Sequence, residues 1–313
     1  TLVVAFEATL DENQTLQLLY QGIAYQKENK IEKAIETYNT VLKYHPTQPD
    51  ALHLSGISHH YIGGRALNNL EDKNAVSQNL LLRYWKNSET AESLVRKAIA
   101  MKPSDTNFYN TLGEILRTNY NNEPKEKRNA TRLQEAINIY SRGIKLLFPG
   151  FLEQIELSPK RDLLLYERFE KDTLKEVPFD PRVAKRVNDL AHNFAACLTQ
   201  SEDKYLDYTI LVHERLIMLD PNDSALQFNL ALNIRRKKQD IENDRAYTIF
   251  EYIVKNNPNS IEAKMQLAIT RQLQSRLGDA IAIYNDIVKT RNDGKNVVNM
   301  DEDILSNMDD VIR

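Results

Sequence analysis

The 313-residue sequence has a single cysteine, Cys197. It therefore holds no internal disulfide and no cysteine-built zinc site, and a lone thiol fits a reducing, intracellular compartment. Glycine (9) and proline (10) are scarce, too few for a turn-rich β-sandwich or a linker-rich chain. Neither sign of charge is in excess, because 41 Lys and Arg stand against 44 Asp and Glu, a net charge of −3. That balance excludes a globally basic nucleic-acid binder and disfavours RNA along the helices. It also excludes a polyacidic disordered chain. Apolar runs are short, and none approaches the roughly eighteen residues of a membrane span.

The first residues, Thr1-Leu2-Val3-Val4-Ala5-Phe6, are apolar, but Glu7 stops them. The stretch is too short for a signal peptide. A start at Thr1 rather than Met is expected of a processed product or an excerpt, which leaves an organelle open beside the cytoplasm. Asn13-Gln14-Thr15, Asn129-Ala130-Thr131 and Asn222-Asp223-Ser224 match the glycosylation sequon and read as chance matches without a secretory signal.

What the sequence does contain is a period. Residues 15–48, TLQLLYQGIAYQKENKIEKAIETYNTVLKYHPTQ, form a unit of 34 residues marked by Gly22, Tyr25, Ala34, Tyr38 and Pro46. The unit resembles the tetratricopeptide repeat, which has a small residue at position 8, a large one at 11, Ala at 20, an aromatic at 24 and Pro at 32. The pattern has a packing reason. Small residues at 8 and 20 let two antiparallel helices approach, large ones at 11 and 24 fill the holes beside them, and Pro at 32 ends the second helix.

Five further units carry the markers. The second has Leu52, Gly56, Ala91, Ala98 and Pro103, and the third Leu112, Gly113, Leu116, Ala136, Tyr140 and Pro149. The fourth, with Leu190, Ala191, Phe194, Leu216 and Pro221, replaces the expected Ala and aromatic by Thr209 and His213. The fifth has Leu230, Ala231, Ala246, Phe250, Ile253 and Pro258, and the sixth Leu267, Ala268, Ala280, Tyr284 and Ile287 without a closing Pro.

Spacing tests the assignment. The family separates position 8 from position 20 by 12 residues, as do Gly22 and Ala34, and Ala268 and Ala280. Gly56 and Ala91 are 35 apart, Gly113 and Ala136 are 23 apart, and Ala231 and Ala246 are 15 apart. The extra residues fall between the two helices of a unit, where a surface loop lengthens at small entropic cost. The second insertion, with Leu80-Leu81-Leu82 and Trp85, is expected to add a helical turn that packs back on the array.

The predicted fold is an all-α, right-handed α-solenoid of TPR-like helix-turn-helix repeats with long intra-repeat insertions. Residues 1–14 are an N-terminal lead. Repeats 1–3 span 15–149, with insertions near 65–87 and 119–130. Residues 150–181 are an irregular helical segment or a linker, and repeats 4–6 span 182–292. The acidic tail, 293–313, carries a capping helix with Ile304, Leu305, Met308, Val311 and Ile312 on one face, a motif that could also dock on a partner.

No catalytic constellation is visible. His213-Glu214 begins like a zinc-protease motif, but the fifth position is Ile217. His53, His59 and His60 have no carboxylate placed to complete a metal site. Gly63-Gly64 lacks the pattern of a phosphate loop, and Cys197 reads as a buried core thiol. Arg235-Arg236-Lys237-Lys238 reads as a solvated last turn favoured by the helix dipole. No cofactor, metal or small-molecule substrate is implied.

The resemblance implies instead a concave groove lined by positions 2, 5, 9, 12 and 13 of each first helix. Those positions are Leu19 and Ile23 in repeat one and His53, Ile57 and His60 in repeat two. In repeat three they are Asn107, Asn110, Glu114 and Arg117, and in repeat four Lys185, Asn188 and His192. They are Phe228, Leu232 and Arg235 in repeat five, and Met265 and Ile269 in repeat six. The polar middle suits an extended peptide backbone or acidic side chains, and the apolar last two repeats suit an apolar anchor or a docked helix. Some of the apolar residues, Leu19, Leu232 and Ile269 among them, are also placed to pack between neighbouring first helices. Leu19 and Ile23 stand where carboxylate-gripping co-chaperone repeats have Lys and Asn, which argues against chaperone-tail binding. The implied function is a non-enzymatic scaffold that binds a protein or peptide, or a structural subunit of a larger complex. The alternative is a substrate-selecting region of a larger enzyme, such as a glycosyl-, sulfo- or methyltransferase or a hydroxylase.

Overall fold

The structure is a computed structural model, and it describes residues 10–68, 78–147, 181–201, 205–219, 223–237 and 240–292. The chain is an all-α solenoid of helical hairpins, with no strand among the described residues. The helices are α1 Glu12–Lys27, α2 Ile31–Tyr44, α3 Pro49–Asn68, α4 Gln78–Met101, α5 Thr106–Asn122 and α6 Ala130–Leu147. They continue as α7 Pro181–Thr199, α8 Leu206–Leu219, α9 Ser224–Arg236, α10 Asp240–Asn256, α11 Ile261–Leu273 and α12 Leu277–Asn292. None is long and apolar enough to cross a membrane. The lead at 1–9, most of the segment 150–181 and the tail 293–313 lie outside the described residues.

Helix starts follow from side chains that replace missing backbone partners. Asp11 and Gln14 form a reciprocal capping box on α1, at 2.7 and 3.0 Å. Asp105, Asp223 and Ser260 cap α5, α9 and α11. Each such cap contributes about 1 kcal/mol. The turns of the first and last hairpins match residue for residue. Asn29 and Ser275 both sit at φ 59°, and in each case the next amide reaches back around the helix end, Lys30 to Tyr25 O and Arg276 to Arg271 O.

Two compact units divide the chain. The first takes α1–α6 and α7 as far as Cys197, and the second begins at Leu198 and takes α8–α12. Within each, an aromatic from the second helix of a hairpin slides beneath a small residue of the first. Tyr38, Tyr140, Phe250 and Tyr284 are all 0% exposed. A Cβ added at Gly113 would lie 2.5 Å from the Tyr140 ring, and one at Gly22 would run into Tyr38. Ala231 and Ala268 are likewise fully buried, with Phe250 and Tyr284 in their clusters. In repeat two the aromatic slot is filled by Val95, against which an added Cβ at Gly56 would press at 2.6 Å. His213, at the equivalent position of α8, is fully buried, with its Nδ1 2.8 Å from Thr209 O.

The second insertion adds helix, as expected of it, and part of the third does so too. In repeats one, five and six the first helix ends five residues after the small residue, at Lys27, Arg236 and Leu273. In repeats two and three it runs on to Asn68 and Asn122, and α4 starts ten residues before Ser88, where the equivalent helix of repeat one would begin. Much of the described part of these insertions is thus helix, and in the third a short loop with a 3-10 turn at Lys125–Lys127 joins the two helices. Apolar residues at helical spacing make this favourable. Tyr84, in the α4 extension, is fully buried and its hydroxyl donates to Asn119 Oδ1 at 2.8 Å while accepting from Asn122 Nδ2 at 3.0 Å. Asn119 and Asn122 belong to the α5 extension, so the two lengthened hairpins hold each other.

Two substitutions read this packing. Gly113→Ala pushes the Tyr140 ring out of its slot and is expected to cost about 1–3 kcal/mol, the range for overpacking. Ser275→Gly relieves a left-handed residue and is expected to add about 1 kcal/mol. Urea unfolding midpoints check both, and a neutral Gly113→Ala would contradict the close contact.

Candidate functional site

First helices of successive hairpins touch one another within each unit, and single polar bridges join them in the first. Gln26 Nε2 of α1 donates to Ser58 Oγ of α3 at 2.8 Å. His53 Nε2 of α3 lies 2.8 Å from Thr111 Oγ1 of α5. Asn193 Nδ2 of α7 donates to Asn110 Oδ1 of α5 at 2.9 Å.

These bridges sort the candidate residues by repeat position. Position 5 is a joint rather than a lining. Leu19 and Met265 are buried, at 6% and 1% exposure, in the hairpin cores that contain Tyr38 and Tyr284 respectively. His53 stacks on Phe108 with ring centroids 4.5 Å apart, Asn110 accepts from Asn193, and Phe228 meets Phe250 edge-on at 5.6 Å. Met265 therefore has no surface to offer a partner, because Tyr284 and Ile287 of α12 close over it.

Positions 2, 9 and 12 form the open face. In the first unit Asn107 and Glu114 are exposed, and His60, Arg117 and His192 are half-buried. The side chains of Lys185 and Asn188 lie outside the described residues. His60 Nδ1 and Arg117 Nε are buried atoms with no hydrogen-bond partner among the described residues. Arg117 lies in the field of Tyr140 and Cys197. The Cys197 thiol, fully buried, is pushed up to about 12 by burial, with Arg117 opposing, which makes it inert at neutral pH.

The second unit corrects the reading of the basic run. It is not a solvated turn. Arg236 donates through Nη1 to Thr199 O at 2.7 Å and through Nη2 to Ser201 O at 3.1 Å. Lys237 pairs with Asp207, and Arg235 lies over the Phe250 ring at 6.0 Å. Lys238 lies outside the described residues. Carbonyls and a carboxylate draw two of these cations down, because a cation beside orphan backbone acceptors is more stable than either alone in water. Glu214, next to His213, pairs with Arg245.

Sequence reasoning missed Gln26 and Gln272, both at position 12. Gln26 Oε1 accepts the Tyr38 hydroxyl at 3.1 Å and Gln272 Oε1 the Tyr284 hydroxyl at 3.3 Å. The signal was present, since each lies four residues after the small residue and one helical turn puts it on the same face.

A sequence profile of the tetratricopeptide repeat matches residues 18–47, the hairpin in which Gly22, Ala34 and Tyr38 interlock. The match covers one hairpin of the chain. Solved structures share the fold of the chain as a whole. The pilF protein of Pseudomonas aeruginosa superposes with a TM-score of 0.52 at 12% identity, covering 88% of this chain and 90% of its own. The assembly chaperone of RpL4, Acl4, gives a TM-score of 0.53 at 12% identity, with 95% of both chains covered. At that identity the likeness is one of fold. No curated protein matches the chain.

The TPR face carries a pH dependence. Burial pushes the His53 imidazole down to about 4, against the pull of Asp105 and Asp50. Its folded value lies below the unfolded one of about 6.5, so protonation favours the unfolded chain. Stability is full above the unfolded value and declines as pH falls from about 6.5 toward 4. His53→Gln is expected to flatten that decline. NMR titration of the imidazole, together with urea midpoints at each pH, checks it, and a His53 titrating in the ordinary range would contradict the buried placement.

Proposed function

We propose that this TPR protein is a non-enzymatic scaffold that holds an extended protein segment against the first-helix face of its first unit, or joins a larger assembly through that face. The observation that carries the reading is unfilled polar capacity. His60 Nδ1 and Arg117 Nε are buried without hydrogen-bond partners among the described residues, beside the exposed Asn107 and Glu114. A buried donor or acceptor left unpaired costs about 1–3 kcal/mol, and an extended backbone supplies both partners it needs. His53 and Asn110 contribute by fixing the spacing of α3, α5 and α7 rather than by touching the partner. The same fold in the assembly chaperone of RpL4 supports a protein as the ligand.

The test places a photo-crosslinking residue at Asn107 or Glu114, and as controls at Glu89 or Lys97, exposed residues of α4 on the second-helix side. Crosslinking in native extract is expected to yield one common protein from both front positions and little from the controls. Equal labelling from the two sides would move the site away from the first-helix face.

A further inference from the structure

In the hairpins of repeats one, five and six the side chain four residues beyond the small residue meets the aromatic that rises from the second helix. In the first and last hairpins this is a glutamine, and its carbonyl accepts the tyrosine hydroxyl. In the hairpin of α9 and α10 the aromatic is Phe250, which has no hydroxyl, and the position holds Arg235. The guanidinium lies over the Phe250 ring at 6.0 Å. Its Nη1 is buried with no hydrogen-bond partner, and no carboxylate pairs with it among the described residues.

Neighbouring charges do not compensate it. Helix α9, SALQFNLALNIRR, contains no acidic residue. The cations that follow are committed, Arg236 to the carbonyls of Thr199 and Ser201 and Lys237 to Asp207. Burial lowers the proton affinity of Arg235, with Tyr284 acting in the opposite sense. A half-buried cation without a counter-ion is costly, and a phenyl face recovers only part of that cost. The residue remains partly open to solvent, so an external group can reach it.

We infer that Arg235 is the receptor for a carboxylate carried by an acidic protein segment docked on α9. With Nη1 buried, the solvent-open part of the guanidinium suits a carboxylate as a charge-assisted acceptor. One uncommitted guanidinium balances one carboxylate, whereas a phosphate dianion would be left half-compensated. Phe228 and Leu232, half-buried on the same helix, offer apolar contact to the methylenes of a glutamate. The inference rests on the scaffold reading in one respect, that the carboxylate comes from a protein.

The probe is a short fluorescent oligoglutamate peptide, with an oligoglutamine of equal length as control, titrated onto the full chain at low salt. Oligoglutamate is expected to bind more tightly than oligoglutamine. Arg235→Met, which keeps length and apolar contact, is expected to lose at least about tenfold in affinity, the scale of one charge-assisted hydrogen bond. Lys255→Met removes an equal charge from an exposed site on α10 and should leave affinity unchanged. A second measurement needs no variant: oligoglutamate should protect Arg235 of the wild-type chain from phenylglyoxal, read by mass spectrometry. Wild-type affinity in Arg235→Met, an equal loss in Lys255→Met, or no protection of Arg235 would overturn the proposal. Protection by inorganic phosphate but not by oligoglutamate would overturn the choice of carboxylate. Crosslinking at Asn107 and Glu114 decides the scaffold reading separately, so the two can fail independently.

Discussion

Everything in this chain depends on one contact, an aromatic ring from a second helix seated against a helix backbone stripped of its side chain. Tyr38 under Gly22 and Tyr140 under Gly113 leave no room for even a Cβ. The ring buries a large apolar area, and because interiors pack at crystal density the seat also fixes how far apart the two helices lie. The residue one turn further along the first helix meets the ring's far end. In the first and last hairpins it is a glutamine that accepts the tyrosine hydroxyl. In the third it is Arg117, and the Tyr140 hydroxyl is buried without a hydrogen-bond partner among the described residues. In the fifth it is Arg235, over a phenylalanine that has no hydroxyl.

Much of the fold was legible in the sequence because the seat is local. Gly22 with Ala34, Gly113 with Ala136 and Ala268 with Ala280 announce close helix approach, and the aromatics four residues on announce the rings that fill it. In the degenerate fourth repeat Thr209 and His213, at the positions read as replacing the Ala and the aromatic, are both buried, at 1% and 0% exposure. What the sequence hides is which neighbour a side chain meets. Periodicity assigns a residue to a face, but position 5 lies where two first helices converge, and there Met265 and Leu19 sink into the core while His53 and Asn110 form bridges. The basic run misled for a similar reason. Four cations in a row look solvated until the carbonyls of Thr199 and Ser201 and the carboxylate of Asp207, distant in sequence, are brought beside two of them. The second insertion was legible as helix from its run of apolar residues, whereas the third, rich in turn formers and charge, did not show that α5 continues to Asn122.

The division of labour between positions has a thermodynamic side. Repeat arrays are stabilised by each unit and by each contact between neighbours. In the first unit polar bridges lie at the joints between first helices: Gln26 with Ser58, His53 with Thr111, and Asn110 with Asn193. Such bonds fix register more than they add stability, because each replaces bonds to water. They hold the open face at constant spacing, which a ligand contacting several first helices requires.

The two lengthened hairpins carry a consequence for the redesign of this chain. Tyr84 lies in the extension of α4 and its partners Asn119 and Asn122 in the extension of α5, all outside the span that an uninterrupted 34-residue repeat would provide. Trimming α5 to standard length would take both partners from the buried Tyr84 hydroxyl, whereas trimming α4 would leave Asn119 with Ser88. The two extensions are therefore unequal: the one on α4 can be removed alone, and the one on α5 only together with it.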